Sequence, residues 1–250
     1  NVEGINVIIL YPSAKISTIQ EKQIATLDKN IYSLEVQGTF DDCQKLVKRA
    51  FLDNYLNSSM SLSSANSINI SRLIPQTFYY FYAYSQMNTK EEVVFSVPSG
   101  NFGNLTAGIF SKYMGLPVHK FIASTNSNDV VPKFLKTGNY KPKPSVETIS
   151  NAMDVGNPSN LARILDIYDN VAEIKEDIYS WSFSDDETKE EMINTFKNNK
   201  YLLDPHGAVG FLGLKKYLNN NSNNNVGIFL GTAHPSKFSD IIKPIINKEI

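Results

Sequence analysis

A short apolar run, a glycine-rich turn and a helical pattern follow one another between residues 91 and 114. Residues 91–99 are rich in β-branched and aromatic side chains and contain Pro98 near their end, which predicts a strand buried in a sheet. Residues 105–114 carry apolar side chains at helical spacing. This order is typical of a parallel sheet with crossover helices. The turn between the two parts reads Gly100-Asn101-Phe102-Gly103-Asn104.

The turn has the features of an anion site. A helix that starts directly after a strand leaves its first amides without helical partners, and its dipole favours negative charge there. Gly100 and Gly103 carry no Cβ that would hold a ligand away from the backbone, while Asn101 and Asn104 can cap amides or reach the ligand. The pattern matches neither a Walker loop nor the dinucleotide fingerprint. From the residues alone, a phosphate site and an ordinary strand-to-helix connection both remain open.

Two similar units precede this region. Residues 5–10 and 31–36 have strand patterns, whereas residues 17–27 and 39–55 have helical patterns. Two strand-then-helix units in succession favour a parallel sheet. The Ser-rich stretch at residues 57–64 then indicates a domain boundary.

Two helix starts carry capping patterns. Thr39 stands three residues before Asp42, which resembles an acidic capping box, and Ser184 stands three residues before Glu187. Each pattern predicts that a helix begins directly after the Ser or Thr.

An aromatic-rich helix is predicted over residues 70–87. Rings occur on every side of this helix, so we expect protein to enclose it. Residues 136–158 are rich in Pro, Gly, Lys and Asn and predict a surface loop that precedes a helix at residues 159–168.

The last part of the chain returns to the strand pattern. Residues 219–225 are nearly all asparagine and predict a mobile loop. The apolar run at residues 226–230 predicts a buried strand that opens into Gly231 and Thr232. Because ligands of such sheets gather beyond the carboxyl ends of strands, we expect the Gly231 turn to face the same crevice as the Gly100 turn.

Composition narrows the class of protein. The chain has 250 residues, of which 42% are hydrophobic, so it can build a substantial core. Its net charge of −1 provides no basic field, and we expect neither nucleic acid nor membrane as a partner. The single cysteine, Cys43, and the lack of a signal peptide pattern indicate a cytoplasmic protein. The sequence begins with Asn1 and not with Met, and a strand pattern starts within a few residues. For this reason we interpret the chain as a fragment.

A second candidate site lies before the aromatic-rich helix. Asn66 or Ser67 can cap a helix that begins near residue 68, and Arg72 follows about one turn later. A helix start with a hydroxyl and a guanidinium can equally receive a phosphate or carboxylate. Both interpretations remain open from residue types. The three histidines are scattered, and we expect no metal site.

Seven motifs, in order, resemble threonine synthase, a member of the pyridoxal-phosphate enzymes built like the tryptophan-synthase β subunit. The resemblance covers nearly the whole chain. The motifs are Val36-Gln37-Gly38-Thr39-Phe40-Asp41-Asp42, Ala65-Asn66-Ser67-Ile68-Asn69 with Arg72, Val97-Pro98-Ser99-Gly100-Asn101-Phe102-Gly103-Asn104, Ala123-Ser124-Thr125-Asn126-Ser127-Asn128-Asp129, Met153-Asp154 with Asn157-Pro158-Ser159-Asn160, Asp204-Pro205-His206-Gly207-Ala208-Val209-Gly210, and Thr232-Ala233-His234-Pro235-Ser236-Lys237-Phe238.

The resemblance implies conversion of O-phospho-L-homoserine and water to L-threonine and phosphate, with pyridoxal 5'-phosphate as cofactor. It implies an α/β fold of two open, mostly parallel sheets flanked by helices, incomplete in this chain, with residues 1–60 in a smaller domain and residues 61–250 in a large cofactor-binding domain. Thr232 would lie at the pyridine nitrogen. Asn66, Ser67 and Arg72 would bind the substrate phosphate. The cofactor phosphate would be held by Gly100, Asn101, Phe102, Gly103 and Asn104.

The chain departs from the family pattern at the catalytic lysine. The family's Schiff-base lysine lies in a Phe-Lys-Asp motif upstream, and neither this motif nor the Gly-Asp-Thr-Gly motif occurs here. The segment most similar to Phe-Lys-Asp is Phe196-Lys197-Asn198, which lies outside the matching motifs. We therefore expect the chain to be inactive alone. A phospho-lyase that adds no water, or a non-catalytic phosphate-binding domain, remains the alternative.

Overall fold

A computed structural model of the protein describes residues 3–66, 69–221 and 224–246. The chain divides into two units, Asn1–Ser63 and Ser64–Ile250. The division falls within the Ser-rich stretch that indicated a boundary. No helix among the described residues is long and apolar enough to cross a membrane.

The smaller unit is built on two parallel strands. Strand β1 (Val7–Pro12) pairs along its whole length with β2 (Ile31–Val36). Helix α1 (Thr18–Ala25) makes the crossover between them. Helices α2 (Phe40–Leu52) and α3 (Asn54–Ser59) complete the unit.

The capping box at α2 is confirmed. The backbone N–H of Thr39 donates to the Asp42 carboxylate at 2.9 Å, and the N–H of Asp42 donates to the Thr39 hydroxyl at 3.3 Å. The bond from the Thr39 N–H, together with bonds from the Thr39 hydroxyl and from Lys45 to the same carboxylate, lowers the pKa of Asp42 to about 2. The helix ends earlier than expected, at Leu52, because the Asp53 carboxylate accepts the N–H of Leu56 and thereby starts α3.

The larger unit contains a four-stranded, entirely parallel sheet. Its strands are β3 (Glu92–Pro98), β4 (Val118–Thr125), β5 (Ile178–Ser182) and β6 (Asn225–Phe229). Their order across the sheet is β5-β4-β3-β6. β3 is therefore an interior strand, which explains why its sequence is almost continuously apolar. The parallel α/β fold class expected from the sequence is confirmed.

Helices cover both faces of this sheet. Val93, Phe95 and Val97 of β3 join the core on one face, and Val94 joins a separate cluster with Leu214 on the other. The helices of the unit are α4 (Ile74–Ser85), α5 (Gly103–Tyr113), α6 (Val130–Thr137), α7 (Leu161–Ile167), α8 (Val171–Asp177), α9 (Asp185–Asn199), α10 (Pro205–Asn220) and α11 (Ser239–Ile246).

The aromatic-rich helix differs from its prediction. Residues Ile70–Arg72 form a separate short 3-10 helix, and α4 starts only at Ile74, with a proline in its first turn. Its Tyr80 is fully buried, but Phe78 is 64% and Tyr82 69% exposed. The expectation that protein encloses this helix is therefore wrong for the described chain, because one face packs on α5 and the opposite rings remain exposed.

Other differences concern elements that the sequence patterns did not reveal. Strand β5 and helices α6, α8 and α10 were not predicted. The asparagine run is also more regular than expected, since Asn220 ends α10 and Asn225 begins β6. Residues 222 and 223 of the run lie outside the described residues. The loop predicted at residues 136–158 is confirmed for most of its length.

Candidate functional site

The carboxyl ends of three neighbouring strands meet at one edge of the larger sheet. The N–H of Ser99, just after β3, donates to the carbonyl of Ser124 in β4 at 2.8 Å. The N–H of Leu230, just after β6, donates to the carbonyl of Ser96 at 3.0 Å. The loops that follow β3, β4 and β6 therefore begin at the same edge, which is where parallel sheets bind ligands.

The turn after β3 adopts a conformation that leaves the start of α5 open. Phe102 has a φ of +62°, in the left-handed region that is uncommon for residues other than glycine. It is the N-cap residue of α5, and no side chain of the described residues caps the helix there. The first bond of the helix runs from the N–H of Thr106 to the carbonyl of Phe102 at 3.0 Å. The helix itself therefore uses none of the amides of residues 103–105.

These amides lie in a buried part of the molecule. Phe102 is 4% exposed and Leu105 is 1% exposed, and Gly103 is also buried. Buried backbone N–H groups nearly always have a hydrogen-bond partner. An anion at the helix start would supply one, and the helix dipole would stabilise its charge. This uncapped, buried helix start fits the phosphate group of pyridoxal phosphate.

Gly100 has a packing role that the sequence did not reveal. A Cβ at this position would lie 2.6 Å from Cα of Met153 and 3.1 Å from the carbonyl oxygen of Ala152. Glycine is needed here because the backbone of residues 152–153 lies directly against the turn. Contact of Gly100 or Gly103 with a ligand stays a prediction.

The two asparagines of the turn brace its backbone. The Asn101 Oδ1 atom accepts the N–H of Ser159 at 2.6 Å, and the Asn160 Nδ2 atom donates to the Asn101 carbonyl at 3.0 Å. The Tyr80 hydroxyl lies 2.6 Å from Oδ1 of Asn104 and 2.8 Å from its carbonyl oxygen. Their side-chain oxygens thus bond to protein groups, and a direct bond from either residue to a ligand stays a prediction.

A polar network supports the loop that packs on Gly100. Asp154 Oδ1 accepts hydrogen bonds from the Thr148 hydroxyl at 2.7 Å, from Asn126 Nδ2 at 2.8 Å and from Asn128 Nδ2 at 3.2 Å. Its Oδ2 atom accepts the N–H of Thr148 at 3.0 Å. Burial raises the pKa of Asp154 to about 6, although the bonds from Thr148 and Asn126 act in the opposite direction.

The network was missed at the level of the sequence. Asn126 and Asp154 occur in the quoted motifs, but no spacing rule links residues 28 positions apart. One pattern in the sequence could have indicated the network. Asn, Asp, Ser and Thr are frequent directly after a buried strand, where polar residues of a parallel sheet face the edge that binds ligands.

Thr232 lies in the loop after β6, and its side chain is exposed. The last pair between β3 and β6 is Ser96 with Phe229, and Thr232 follows Phe229 by three residues. Thr232 and the Gly100 turn therefore follow neighbouring strands at the same edge of the sheet. Contact of Thr232 with a cofactor stays a prediction.

The candidate residues for the substrate phosphate lie before α4. Asn66 and Arg72 are exposed, and Ser67 lies outside the described residues. The 3-10 helix that ends at Arg72 is capped by the Asn69 side chain, whose Oδ1 accepts the N–H of Ser71 at 3.0 Å. The expected cap by Asn66 or Ser67 concerns a helix start at residues 67–68, which lie outside the described residues, and it stays a prediction.

The larger unit contains other reactive side chains outside the turn. His206 is 3% exposed, and its Nδ1 atom lies 3.0 Å from the Asp204 carboxylate, while Nε2 has no partner among the described residues. Lys197 is exposed and lies in the last turn of α9. Within the described ranges no group of three or more His, Cys, Asp or Glu residues could hold a metal ion.

A cleft of about 620 Å³ lies along β5, away from the turn. Lys136, Lys175 and Lys216 line it, and all three are exposed. Flexible surface lysines do not form the fixed set of donors that a helix start provides. We therefore place the candidate anion site at the turn and not in the cleft.

Comparison with known proteins identifies a family of cofactor-dependent enzymes. The family described as "Pyridoxal-phosphate dependent enzyme" matches residues 1–230. Threonine synthase of Haemophilus influenzae is 47% identical over 251 residues, which cover 100% of this chain and 58% of that protein. Threonine synthase of Escherichia coli is 45% identical over 250 residues, with 99% and 57% coverage. The chain thus spans about 58% of the length of the curated relatives it matches.

Solved structures of threonine synthases also match this chain over nearly its whole length. The crystal structure of threonine synthase from Escherichia coli superposes with a TM-score of 0.91 at 44% identity, over 98% of this chain and 57% of that one. The structure of pyridoxal-phosphate-bound threonine synthase from Brucella melitensis superposes with a TM-score of 0.86 at 32% identity, over 98% and 58%. Threonine deaminase from Solanum lycopersicum, at 15% identity and a TM-score of 0.66, shares the fold.

Proposed function

Because this chain belongs to the pyridoxal-phosphate-dependent enzyme family, we propose that it forms the phosphate-holding part of a threonine synthase. The activity of the complete protein would be conversion of O-phospho-L-homoserine and water to L-threonine and phosphate. The observation that carries the proposal is the buried, uncapped start of α5 after Phe102. The identity of 47% to a threonine synthase supports the choice within the family.

In this proposal the amides of residues 103–105 bind the cofactor phosphate. Asn101 and Asn104 act through the turn, since their side-chain oxygens bond to Ser159 and Tyr80. Thr232, at the same edge of the sheet, would bond to the pyridine nitrogen through a neutral hydroxyl. Bound pyridoxal phosphate supplies an electron sink when protons leave the substrate. The larger unit is then the cofactor-binding domain.

The substrate phosphate would be bound by Asn66, Ser67 and Arg72. A guanidinium can donate two parallel hydrogen bonds to a phosphate, and the side chain of Arg72 is exposed and therefore accessible to a ligand. A cation at the leaving phosphate would stabilise the charge that develops there. We further propose a cytoplasmic location, which agrees with a single free and buried cysteine, Cys43.

The expected acid-base lysine belongs to a Phe-Lys-Asp motif that the sequence of this chain does not contain. Lys197, the nearest match in sequence, lies on α9. We therefore propose that the chain alone lacks threonine synthase activity. Incubation of the isolated chain with pyridoxal phosphate and O-phospho-L-homoserine should release no threonine, and turnover would contradict this part of the proposal.

Replacement of Arg72 tests the substrate assignment in the full-length protein. The Arg72→Ala variant should lose about 10- to 100-fold in kcat/KM for O-phospho-L-homoserine, since a hydrogen bond to a charged group contributes about 1.5–3 kcal/mol. Its affinity for pyridoxal phosphate should not change. Arg49→Ala, an exposed arginine on α2, is the matched control.

The results separate the alternatives. Unchanged kcat/KM in Arg72→Ala would refute the role of Arg72. Phosphate release without threonine would identify a phospho-lyase. A full-length sequence without an upstream Phe-Lys-Asp motif would favour a non-catalytic phosphate-binding domain.

A further inference from the structure

The turn that begins α5 does not hold its shape alone. Gly100 lies against the backbone of Met153, with so little space that a Cβ would come within 2.6 Å of its Cα. Met153 ends a short 3-10 helix, Asn151–Met153, and Asp154 follows it directly. Because Asp154 is the chain neighbour of Met153, a movement of Asp154 also moves the backbone against which Gly100 packs.

Asp154 is surrounded by hydrogen-bond donors. Its Oδ1 atom receives bonds from the hydroxyl of Thr148 and the side-chain amides of Asn126 and Asn128, and its Oδ2 atom receives the backbone N–H of Thr148 at 3.0 Å. Asn126 and Asn128 are 1% and 4% exposed and directly follow the end of β4. The carboxylate therefore ties the loop of residues 148–154 to the rigid end of a central strand.

The ionised form is the one that matches these donors. Protonation turns one oxygen into a hydroxyl with less capacity to accept hydrogen bonds and removes the negative charge that strengthens the bonds from these donors. Protonation would therefore weaken the hydrogen bonds between Asp154 and Thr148 and loosen the loop. The ionisable neighbour in the described chain is Asp185 at the start of α9, whose charge raises the pKa of Asp154 and whose carboxylate accepts the N–H of Ile149 at 3.3 Å. The other side chains that bond to Asp154 are neutral.

We propose that Asp154 is a positioning residue whose carboxylate holds residues 148–154 against Gly100 and so keeps the amides at the start of α5 in the geometry that binds the cofactor phosphate. The inference rests on the proposed function, because it assigns the role of a residue behind that site. Protonation of Asp154 then weakens cofactor binding. Burial places this pKa at about 6, so the loss develops as the pH falls through that value.

The test is the affinity for pyridoxal phosphate, measured by equilibrium titration of the cofactor-free full-length protein between pH 5 and pH 8. Because a phosphate monoester itself has a pKa near 6, the wild-type profile is compared with that of Asp154→Asn. At pH 8 the variant should bind about tenfold more weakly. Below pH 6 both proteins should lose affinity as the cofactor phosphate takes up a proton. The wild type should lose up to about tenfold more affinity per pH unit than the variant, because it also takes up one proton at Asp154.

A second variant tests the direction of the effect. Thr148→Val removes the hydroxyl that stabilises the carboxylate, so the midpoint of the Asp154-dependent loss should rise by about one pH unit. If Asp154 only stabilised the fold, Thr148→Val could change the free energy of unfolding but would not move the pH midpoint of cofactor binding. Asp186→Asn, an acid two residues into α9 with a 96% exposed side chain, is the control and should keep the wild-type profile.

Equal affinities and equal pH profiles for wild type and Asp154→Asn would overturn the positioning role while leaving the proposed function intact. An unmoved midpoint in Thr148→Val would overturn it as well, even where Asp154→Asn does not fold. Failure of the wild-type protein to bind pyridoxal phosphate at every pH would instead refute the proposed function.

Discussion

Replacement of Gly100 by alanine tests the packing that underlies the candidate site. The new Cβ would lie 2.6 Å from Cα of Met153 and 3.1 Å from the carbonyl oxygen of Ala152. Carbon atoms in contact are separated by about 3.5 Å or more, so the turn and the loop must move apart by about 0.9 Å. Overpacking of this kind costs about 1–3 kcal/mol of unfolding free energy.

The same movement should weaken cofactor binding. A shift of about 0.9 Å would take at least one amide of residues 103–105 out of hydrogen-bond range of a phosphate. Loss of one bond to a charged group weakens binding about 10- to 100-fold. Urea unfolding of the full-length protein and equilibrium titration with pyridoxal phosphate measure the two effects separately.

Gly231→Ala is the control for stability, because apart from its two chain neighbours no atom of the described residues lies within 4 Å of a Cβ built there. Its unfolding free energy should match that of the wild type within about 0.5 kcal/mol. If Gly100→Ala retains both the stability and the cofactor affinity of the wild type, the contact between the turn and residues 152–153 does not shape the site, and the reasoning is refuted.

Two further predictions concern hydrogen bonds at helix starts. Tyr80→Phe removes the hydroxyl that reaches Asn104, which should lower the unfolding free energy by about 1–2 kcal/mol in a urea titration. Tyr79→Phe, whose ring is 60% exposed, should have no such effect, and equal losses would contradict the assignment. The Asp42 carboxyl should titrate near pH 2 by NMR, and because its pKa is lowered in the folded state, its contribution to stability is present above about pH 4 and is lost as the pH falls through 2. An Asp42 midpoint near 3.8 would show that the capping box does not form.

The elements that the sequence predicted correctly depend on close neighbours in the chain. The capping boxes at Thr39 and Ser184 formed because each needs only residues three apart. β3 and α5 were predicted because a buried strand and an amphipathic helix have distinct periods. The start of α4 was misplaced, because the 3-10 helix before it carries a similar apolar pattern.

Helix α10 shows why other elements were missed. Its glycines at positions 207, 210 and 213 disfavour a helix by local propensity. In the fold they are required by close packing, since a Cβ at Gly210 would lie 3.2 Å from Cδ of Pro98, and one at Gly213 would overlap Ser124. Tertiary contact thus outweighs propensity here.

The sequence by itself determined the family resemblance, the parallel α/β class and the position of the glycine-rich turn, because motifs and periodic patterns are local properties of the chain. Only the tertiary structure decided that Gly100 rests on Met153, that Asn101 and Asn104 bond to protein groups, and that Asp154 supports the turn from a distant loop. The physical reason is that the cost of burying a carboxylate and the space available for a Cβ depend on atoms that approach one another only when the chain folds.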